Sequence, residues 1–159
     1  TTITGGGTLY VKSDRDCALY ANGVDLAIDN CQVNAESSTY AIAGSDGTRE
    51  TLTINNAMVT AEGKENGSIC DFANVMLVGC DIIRPAGAAF DSSLHGIALN
   101  GAIVTSKVVI GDPSGIHTPV IDAAAKRGVY TLSGVQLKTA VKDLPKGIYV
   151  VNGKKMVKK

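Results

Sequence analysis

Large aromatic side chains are scarce in this 159-residue chain, which has no Trp and only 4% aromatic residues in total. A core without large rings has to be filled by Leu, Ile, Val, Ala and Cys, which favours narrow, regular layers of side chains. No apolar run is long enough to span a membrane. The four cysteines, at positions 17, 31, 70 and 80, form no CxxC pair and no spacing typical of zinc sites. We therefore expect a packed chain with no transmembrane segment and no zinc site.

Charge of neither sign is in excess, since 15 Lys and Arg balance 15 Asp and Glu. No basic face can be inferred from this balance, so the sequence predicts no nucleic-acid partner. Proline is also scarce, with 4 residues against 18 glycines, so the chain turns often, mainly at positions that need a positive φ. The chain opens at Thr1 in the middle of a pattern, and we expect it to be part of a longer precursor.

One block of residues recurs along the first two-thirds of the chain. Each copy alternates apolar residues with others, breaks at Asn or Gly, and continues with a small residue and a further apolar position. The break residues are Gly5, Asn30, Asn56, Gly79 and Gly101, at intervals of 25, 26, 23 and 22 residues. The alternation has the period of a β-strand, and Asn and Gly tolerate a left-handed backbone at little cost. Three short strands per repeat, one of them bent at a left-handed residue, describe a coil of a parallel β-helix.

The sequence therefore predicts an all-β fold in three parts. A right-handed parallel β-helix of about five short coils covers 1–110, a connector covers 111–127, and a small antiparallel β module covers 128–159. One inward column is predicted to hold Leu26, Leu52, Val75 and Ile97, and the next Ile28, Ile54, Leu77 and Leu99. The main rival is an antiparallel sandwich, which would not require the same residue types at the same place in five successive repeats.

The C-terminal segment carries a hairpin signal, Asn152-Gly153 between two alternating runs. A type I′ turn needs a positive φ at both central positions, which Asn and Gly accept. A unit of about 32 residues buries too little surface to be stable alone. We expect it to dock on the last coil as a cap.

Two resemblances to known proteins follow from these patterns. The run from Thr1 to Ile110 resembles the Gly/Thr-rich β-helical repeat regions of exported gut Bacteroidetes proteins, which have a pectin-lyase-like fold and are in some cases labelled carbohydrate-binding. The tail resembles the C-terminal sorting-type module of such proteins, although it is shorter than a full type IX sorting domain. The residues that carry this second resemblance are Gly128, Tyr130, Leu132, Gly134, Leu144, Pro145, Gly147, Ile148, Tyr149, Asn152 and Gly153. The resemblances imply a secreted or cell-surface protein whose partner is a polysaccharide or an adjacent domain of the same precursor.

Pectin-lyase-like enzymes place acids, bases or calcium ligands on outward positions of adjacent coils. The repeat alignment yields four outward rows, which begin at Ala27, Asp29, Gln32 and Asn34. None of these rows holds two carboxylates on adjacent coils, and none holds a basic residue. We therefore expect no catalytic residue, no cofactor and no metal.

Isolated side chains offer weaker candidates. Four aspartates crowd the first turns, as in a calcium site, but Asp is also common in ordinary turns; they are Asp14, Asp16, Asp25 and Asp29. His95 and His117 have no repeated partner. Sugar-binding platforms generally need exposed aromatic rings, and in the β-helix only Tyr10, Tyr20 and Tyr40 are available.

Three functions stay open at this point. The first is a non-catalytic surface module for adhesion or glycan contact, which fits the lack of a catalytic constellation. The second is a small polysaccharide lyase or hydrolase, by analogy of fold. The third is a purely structural segment of a larger surface protein.

Overall fold

The structure is a computed structural model that describes residues 1–114, 128–139, 141–152 and 154–158. The chain divides into two compact units, Thr1–His117 and Thr118–Lys159. Regular structure in the described residues is almost entirely β, and the one helix there is a 3₁₀ turn, Val141–Asp143. No helix in this part of the chain is long and apolar enough to cross a membrane. Most of the predicted connector, 111–127, lies outside the described residues.

The first unit is a parallel β-solenoid, as the repeat predicts. Its first coil contains β1 (Thr2–Thr4), β2 (Thr8–Ser13) and β3 (Leu19–Ala21). The second coil contains β4 (Leu26–Asp29), β5 (Gln32–Ser37) and β6 (Tyr40–Gly44). The third coil contains β7 (Thr51–Asn55), β8 (Met58–Gly63) and β9 (Gly67–Cys70). Strands at the same place in successive coils pair in parallel. A tenth strand, β10 (Asn74–Val78), continues the first sheet in parallel with β7.

The inward columns form as predicted through the first three blocks. The first column aligns Leu26, Leu52 and Val75, and the second aligns Ile3, Ile28, Ile54 and Leu77. Leu52 and Ile54 have no exposed surface. Hydrogen bonds between coils fix the register, and the two-residue period of a strand turns alternate side chains inward. Branched aliphatic residues therefore fill the interior, with Phe72 as its one fully buried ring among the described residues.

The corners of the coils have the left-handed backbone that the repeat predicts. Gly5, Asn30, Asn56 and Gly79 have φ values of 120°, 50°, 44° and 63°, and Gly101, which lies in an antiparallel turn rather than at a coil corner, has 78°. At Gly79 there is a second constraint, because a Cβ there would overlap the side-chain oxygen of Asn56. Polar side chains also join this corner across coils, since Asn55 Nδ2 donates to Asp29 Oδ1 at 2.6 Å.

The solenoid has about three turns, and the prediction of five was wrong. After β10 the chain forms β11 (Asp81–Arg84) and later β15 (Val108–Gly111), which pair with each other antiparallel. β15 also pairs antiparallel with β8, so it occupies the edge on which a fourth parallel strand would stack. Val108 and Ile110 of β15 are fully buried, and Ile110 aligns with Val59. An antiparallel strand thus fills the inward positions that the repeat assigned to another coil.

The fourth copy of the repeated block also departs from the predicted columns. Ile97 and Leu99 lie in β13 (Gly96–Leu99), which pairs antiparallel with β12 (Ala89–Asp91) and β14 (Ala102–Ile103). Ile97 is opposite Phe90 and is still fully buried. Alternation selects a buried face in either strand direction, so the pattern alone could not distinguish the two arrangements.

The antiparallel return closes the end of the third coil. The Ser68 amide donates to the Val104 carbonyl at 2.8 Å, and the Ser68 hydroxyl donates to the Ser106 carbonyl at 2.7 Å. These bonds satisfy groups of β9 that would otherwise be an open edge. Residues of the solenoid unit itself therefore cover this edge of β9.

The second unit is a four-stranded antiparallel sheet with its own small core. Its strands are β16 (Val129–Thr131), β17 (Gln136–Leu137), β18 (Gly147–Val151) and β19 (Lys154–Lys158), in the order β17–β16–β18–β19. β18 and β19 form the predicted hairpin, with Asn152 at φ 49° and Gly153 outside the described residues. The core consists of Val129, Leu144 and Tyr149, with Leu137, Val151 and Met156 packed against them. Docking of this unit on the solenoid stays a prediction.

Replacing Ile54 by Ala should remove the middle of an inward column and lower the free energy of unfolding by about 3 kcal/mol, through lost apolar contact and the cavity left behind. The matched variant is Ile3→Ala at the end of the same column, where the side chain is half-buried. That change should cost only about 1 kcal/mol, because solvent fills the vacated space. Urea unfolding of both variants measures the difference. Equal losses would contradict a continuous packed column.

Candidate functional site

The outer surface of β2, β5 and β8 presents three in-register rows of side chains, here called the polar face. The first row is Thr8, Gln32 and Met58, the second Tyr10, Asn34 and Thr60, and the third Lys12, Glu36 and Glu62. Neighbouring strands lie about 4.8 Å apart, and alternate residues along one strand about 6.6 Å apart. The face is therefore a regular grid of hydrogen-bonding groups with one apolar member, Met58.

The third row holds two carboxylates on adjacent coils, which none of the four rows of the repeat alignment does. Glu36 and Glu62 are directly aligned on adjacent coils, and Lys12 is aligned with Glu36. On the other side, the Lys107 ammonium lies 3.7 Å from the Glu62 carboxylate. The row therefore runs basic, acidic, acidic, basic, and the flanking lysines offset the repulsion between like charges directly opposite each other.

The signal for this row is present in the sequence. Asn34-Ala35-Glu36 and Thr60-Ala61-Glu62 repeat the same alternation two residues beyond the last row that the repeat alignment yields. β5 and β8 are each six residues long, so the strands extend past the repeated block. Lys107 had no such signal, because it lies in the antiparallel return just before β15.

The second row contains an unpaired donor beside an exposed ring. The Thr60 hydroxyl donates to Asn34 Oδ1 at 2.5 Å, whereas Asn34 Nδ2 is buried with no hydrogen-bond partner among the described residues. Tyr10, aligned with Asn34, has 75% of its surface exposed. A buried donor without a partner is costly, and because Nδ2 is covered, the exposed Tyr10 ring is the part of this row that a ligand can contact.

The four aspartates of the first turns have structural roles. Asp25 Oδ1 accepts the Thr51 amide at 2.8 Å, and Asp16 Oδ1 accepts the Cys17 amide at 2.8 Å. Asp29 binds the corner asparagine described above, and the Asp14 carboxylate is an exposed partner of Lys12 at 4.0 Å. Within the described ranges, no group of three or more His, Cys, Asp and Glu side chains is placed to hold a metal ion.

His95 lies between β12 and β13 and packs against a turn of the third coil. Its φ is 56°, and its ring occupies the space that a Cβ at Gly47 would need. Ring atom Nδ1 is buried with no partner in the described part of the chain. The nearby Asp71 carboxyl has its pKa raised by burial, with His95 acting in the opposite direction. His117, the other histidine, lies outside the described residues.

All four cysteines are free thiols. Burial raises the pKa of Cys17 to about 11, and Asp16 adds to the effect. Burial also raises the pKa of Cys31, Cys70 and Cys80. The thiolate is the reactive form, so thiols with raised pKa values are poor nucleophiles at neutral pH. This argues against covalent chemistry at any of the four.

The motif residues of the C-terminal unit hold its sheet together. The Tyr149 hydroxyl donates to the Pro145 carbonyl at 3.1 Å, and Leu144 is buried beside Tyr149. The Asn152 amide donates to the Gly128 carbonyl at 2.9 Å, while the Gly128 amide donates to Asn152 Oδ1 at 3.1 Å. Tyr130 lies in β16, Gly134 in the following turn at φ 85°, and Gly147 at the start of β18. Two motif residues are exposed apolar side chains instead: Leu132 at 67% and Ile148 at 40%.

One buried carboxylate joins two turns of the solenoid. Glu50 has 1% of its surface exposed, and its Oε1 accepts the Gly23 amide at 2.6 Å and the Ser45 hydroxyl. Its Oε2 has no partner in the described residues. The Ser45 hydroxyl lowers the pKa of Glu50 against the opposing effect of burial, and the Gly23 amide lowers it further. The ionised carboxylate therefore stabilises the folded chain.

The stability that Glu50 contributes should be lost in acid. A carboxyl group with a lowered pKa in the folded state contributes fully above its unfolded pKa, near 4.5, and loses that contribution as pH falls through the folded value. Glu50→Gln should therefore be less stable than the parent at neutral pH, and the gap should narrow as pH falls below about 4.5. Urea midpoints across this range measure the gap. Glu65→Gln, in an exposed turn, is the matched control; a gap for Glu50→Gln that does not change with pH would contradict the assignment.

Comparison with protein-family models, with curated proteins and with solved structures finds no match for this chain.

Proposed function

We propose that this chain is a non-catalytic module of an exported or cell-surface protein and that it binds polysaccharide weakly through the polar face. The observation that carries this proposal is the second row, where the exposed Tyr10 ring adjoins the hydrogen-bonded pair Asn34 and Thr60. A sugar ring has hydroxyl groups that pair with polar side chains and an aliphatic surface that packs on an aromatic ring. The aromatic ring and the polar side chains are neighbours on this face.

The regular spacing of the rows supports a polymeric ligand. Asn34 and Glu36 are followed in the next coil by Thr60 and Glu62, so polar groups recur along the solenoid in two of the three rows. A repeating polymer meets such a grid at several points, and several weak contacts then act together. The face is a sheet surface and encloses little of a ligand, so each contact is expected to be weak.

The sequence resemblances support two parts of this proposal: that the protein is exported, and that its β-helix is of the pectin-lyase-like type. The repeats resemble exported Bacteroidetes β-helical proteins with a pectin-lyase-like, right-handed helix, and the tail resembles their sorting-type module. On this proposal the C-terminal motif directs the protein to the cell surface. Polysaccharide, or an adjacent domain of the same precursor, is then the partner of the polar face.

Replacing Tyr10 by Ala should weaken polysaccharide binding about tenfold, because the ring supplies the apolar part of the contact. Asn34→Ala should also weaken it, because Asn34 Oδ1 accepts the Thr60 hydroxyl and so holds the polar groups beside the ring. Affinity electrophoresis in gels containing acidic or neutral polysaccharides measures the retardation of each variant.

The matched control for this experiment is Tyr20→Ala, which removes an exposed ring from β3 in another sheet and should leave retardation unchanged. Equal loss in the Tyr10 and Tyr20 variants would place binding elsewhere. No retardation of the parent in any polysaccharide would favour a purely structural segment.

A hydrolase is the second candidate, favoured by the alignment of Glu36 with Glu62. Retaining glycosidases use two carboxyl groups about 5 Å apart, close to the spacing of adjacent strands. Against this, Glu36 is exposed and Glu62 is paired with Lys107, whereas a general acid works from a desolvated site. The geometry thus favours binding over cleavage.

We expect the purified chain to release no new reducing or unsaturated ends from acidic or neutral polysaccharides. The reason is that no described carboxyl group of the polar face is shielded from water as a catalytic acid would be. End-group assays on long incubations test this. Turnover that Glu36→Gln and Glu62→Gln each abolish would establish the hydrolase instead, and turnover that neither variant changes would indicate a contaminating enzyme.

A further inference from the structure

The zero net charge of the chain conceals a separation of charge between its two units. Residues 1–114 contain thirteen Asp and Glu against six Lys and Arg, a net charge of −7. Residues 128–159 contain seven Lys and no Arg against a single acidic residue, Asp143, a net charge of +6. The balance over the whole chain therefore does not hold for its parts, and the C-terminal unit is strongly basic.

The positive charge of this unit is exposed and is not neutralised within it. Five of its lysines have exposed side chains: Lys138, Lys142, Lys146, Lys154 and Lys155. None of them forms an ion pair with a carboxylate among the described residues. Lys158 differs, because its ammonium donates to the carbonyls of Val141 and Lys142 and closes the 3₁₀ turn.

One of these lysines, Lys155, lies with apolar side chains on the outer face of the sheet, whereas Lys154 is aligned with Val151 on the core face. Tyr149 and Met156 are aligned in the hairpin and point into the core, so their neighbours in sequence point away from it. On that opposite face, Ile148 is aligned with Val157, which is 59% exposed, and Val150 is aligned with Lys155. This face therefore combines exposed aliphatic groups with an ammonium group in adjacent cross-strand pairs.

We propose that the outer face of the C-terminal unit docks on an anionic lipid surface, with Lys155 against the headgroups, Ile148 and Val157 at the boundary of the acyl chains, and the net positive charge of the unit adding attraction at longer range. Charge complementarity favours an anionic partner, and each lysine near such a surface strengthens attachment about fivefold. A soluble polyanion would satisfy the lysines alone and leave the aliphatic pair in water. An anionic bilayer satisfies both, as it does for amphipathic elements in general.

The test uses the full chain and vesicles of phosphatidylglycerol mixed with phosphatidylcholine, compared with vesicles of phosphatidylcholine alone. We expect cosedimentation with the anionic vesicles only, weakened by salt. Lys155→Gln should lower the partition coefficient about fivefold, and Lys154→Gln, on the core face, should lower it less. Lys138→Gln/Lys142→Gln removes two charges outside the hairpin and should act in the same direction. Val157→Ser should lower partitioning about tenfold, because it removes an apolar contact and no charge.

The matched control is Lys64→Gln/Arg84→Gln, which removes two positive charges from the acidic unit and should leave partitioning unchanged. Absence of cosedimentation, or equal binding to both kinds of vesicle, would overturn the proposal. The proposal would also be overturned if Val157→Ser partitioned as the parent does and the chain bound dextran sulfate or a single-stranded oligonucleotide as tightly as it binds the anionic vesicles. That result would mean a general polyanion site. Circular dichroism of each variant checks that the sheet is intact.

Discussion

Backbone hydrogen bonds between successive coils hold β1, β4, β7 and β10 in one register, and the strands of the other two parallel sheets in theirs. Because the spacing between coils is set by these bonds, each side chain meets its counterpart in the next coil at about 4.8 Å. Inside, this makes columns of aliphatic groups such as Ile28 and Ile54. Outside, it makes rows such as Asn34 and Thr60. The packed interior and the polar face are two consequences of one constraint.

The same constraint explains how the solenoid ends. A last parallel strand would leave a row of unpaired backbone groups, and such edges attract further strands. Here β15 returns antiparallel along β8, while the hairpin around Ile97 covers β9. At the other end, β1, β2 and β3 are the terminal strands of their sheets, and Leu9 is partly exposed there. The two ends of the solenoid therefore present different surfaces.

Electrostatics have three separate roles in this chain. The buried Glu50 carboxylate binds two turns together and so contributes to stability. The exposed Glu36 and the half-buried Glu62 form a charged row with two lysines. Water screens each of these interactions, so we expect the charges to contribute to ligand contact more than to stability. The lysines of the C-terminal unit have almost no acidic partners in the same unit, so their charge acts on whatever approaches from outside.

Much of the solenoid follows from the sequence, since the repeated block determined which residues face inward, which five positions take a positive φ, and where Asn152 turns the hairpin. These features depend on local backbone preference and on the two-residue period of a strand, both of which can be read along the chain. Strand direction and coil number were decided by tertiary structure, because Ile97 can be buried in a parallel or an antiparallel pair, and because β15 takes the edge of β8 on which another coil would stack. The polar face could be predicted in part from the sequence, because the alternation continues through Glu36 and Glu62. Lys107 joins that row only because the chain folds back. The hydrogen bond between Asn34 and Thr60 and the burial of Glu50 likewise arise from neighbours distant in sequence, whose positions no local pattern specifies.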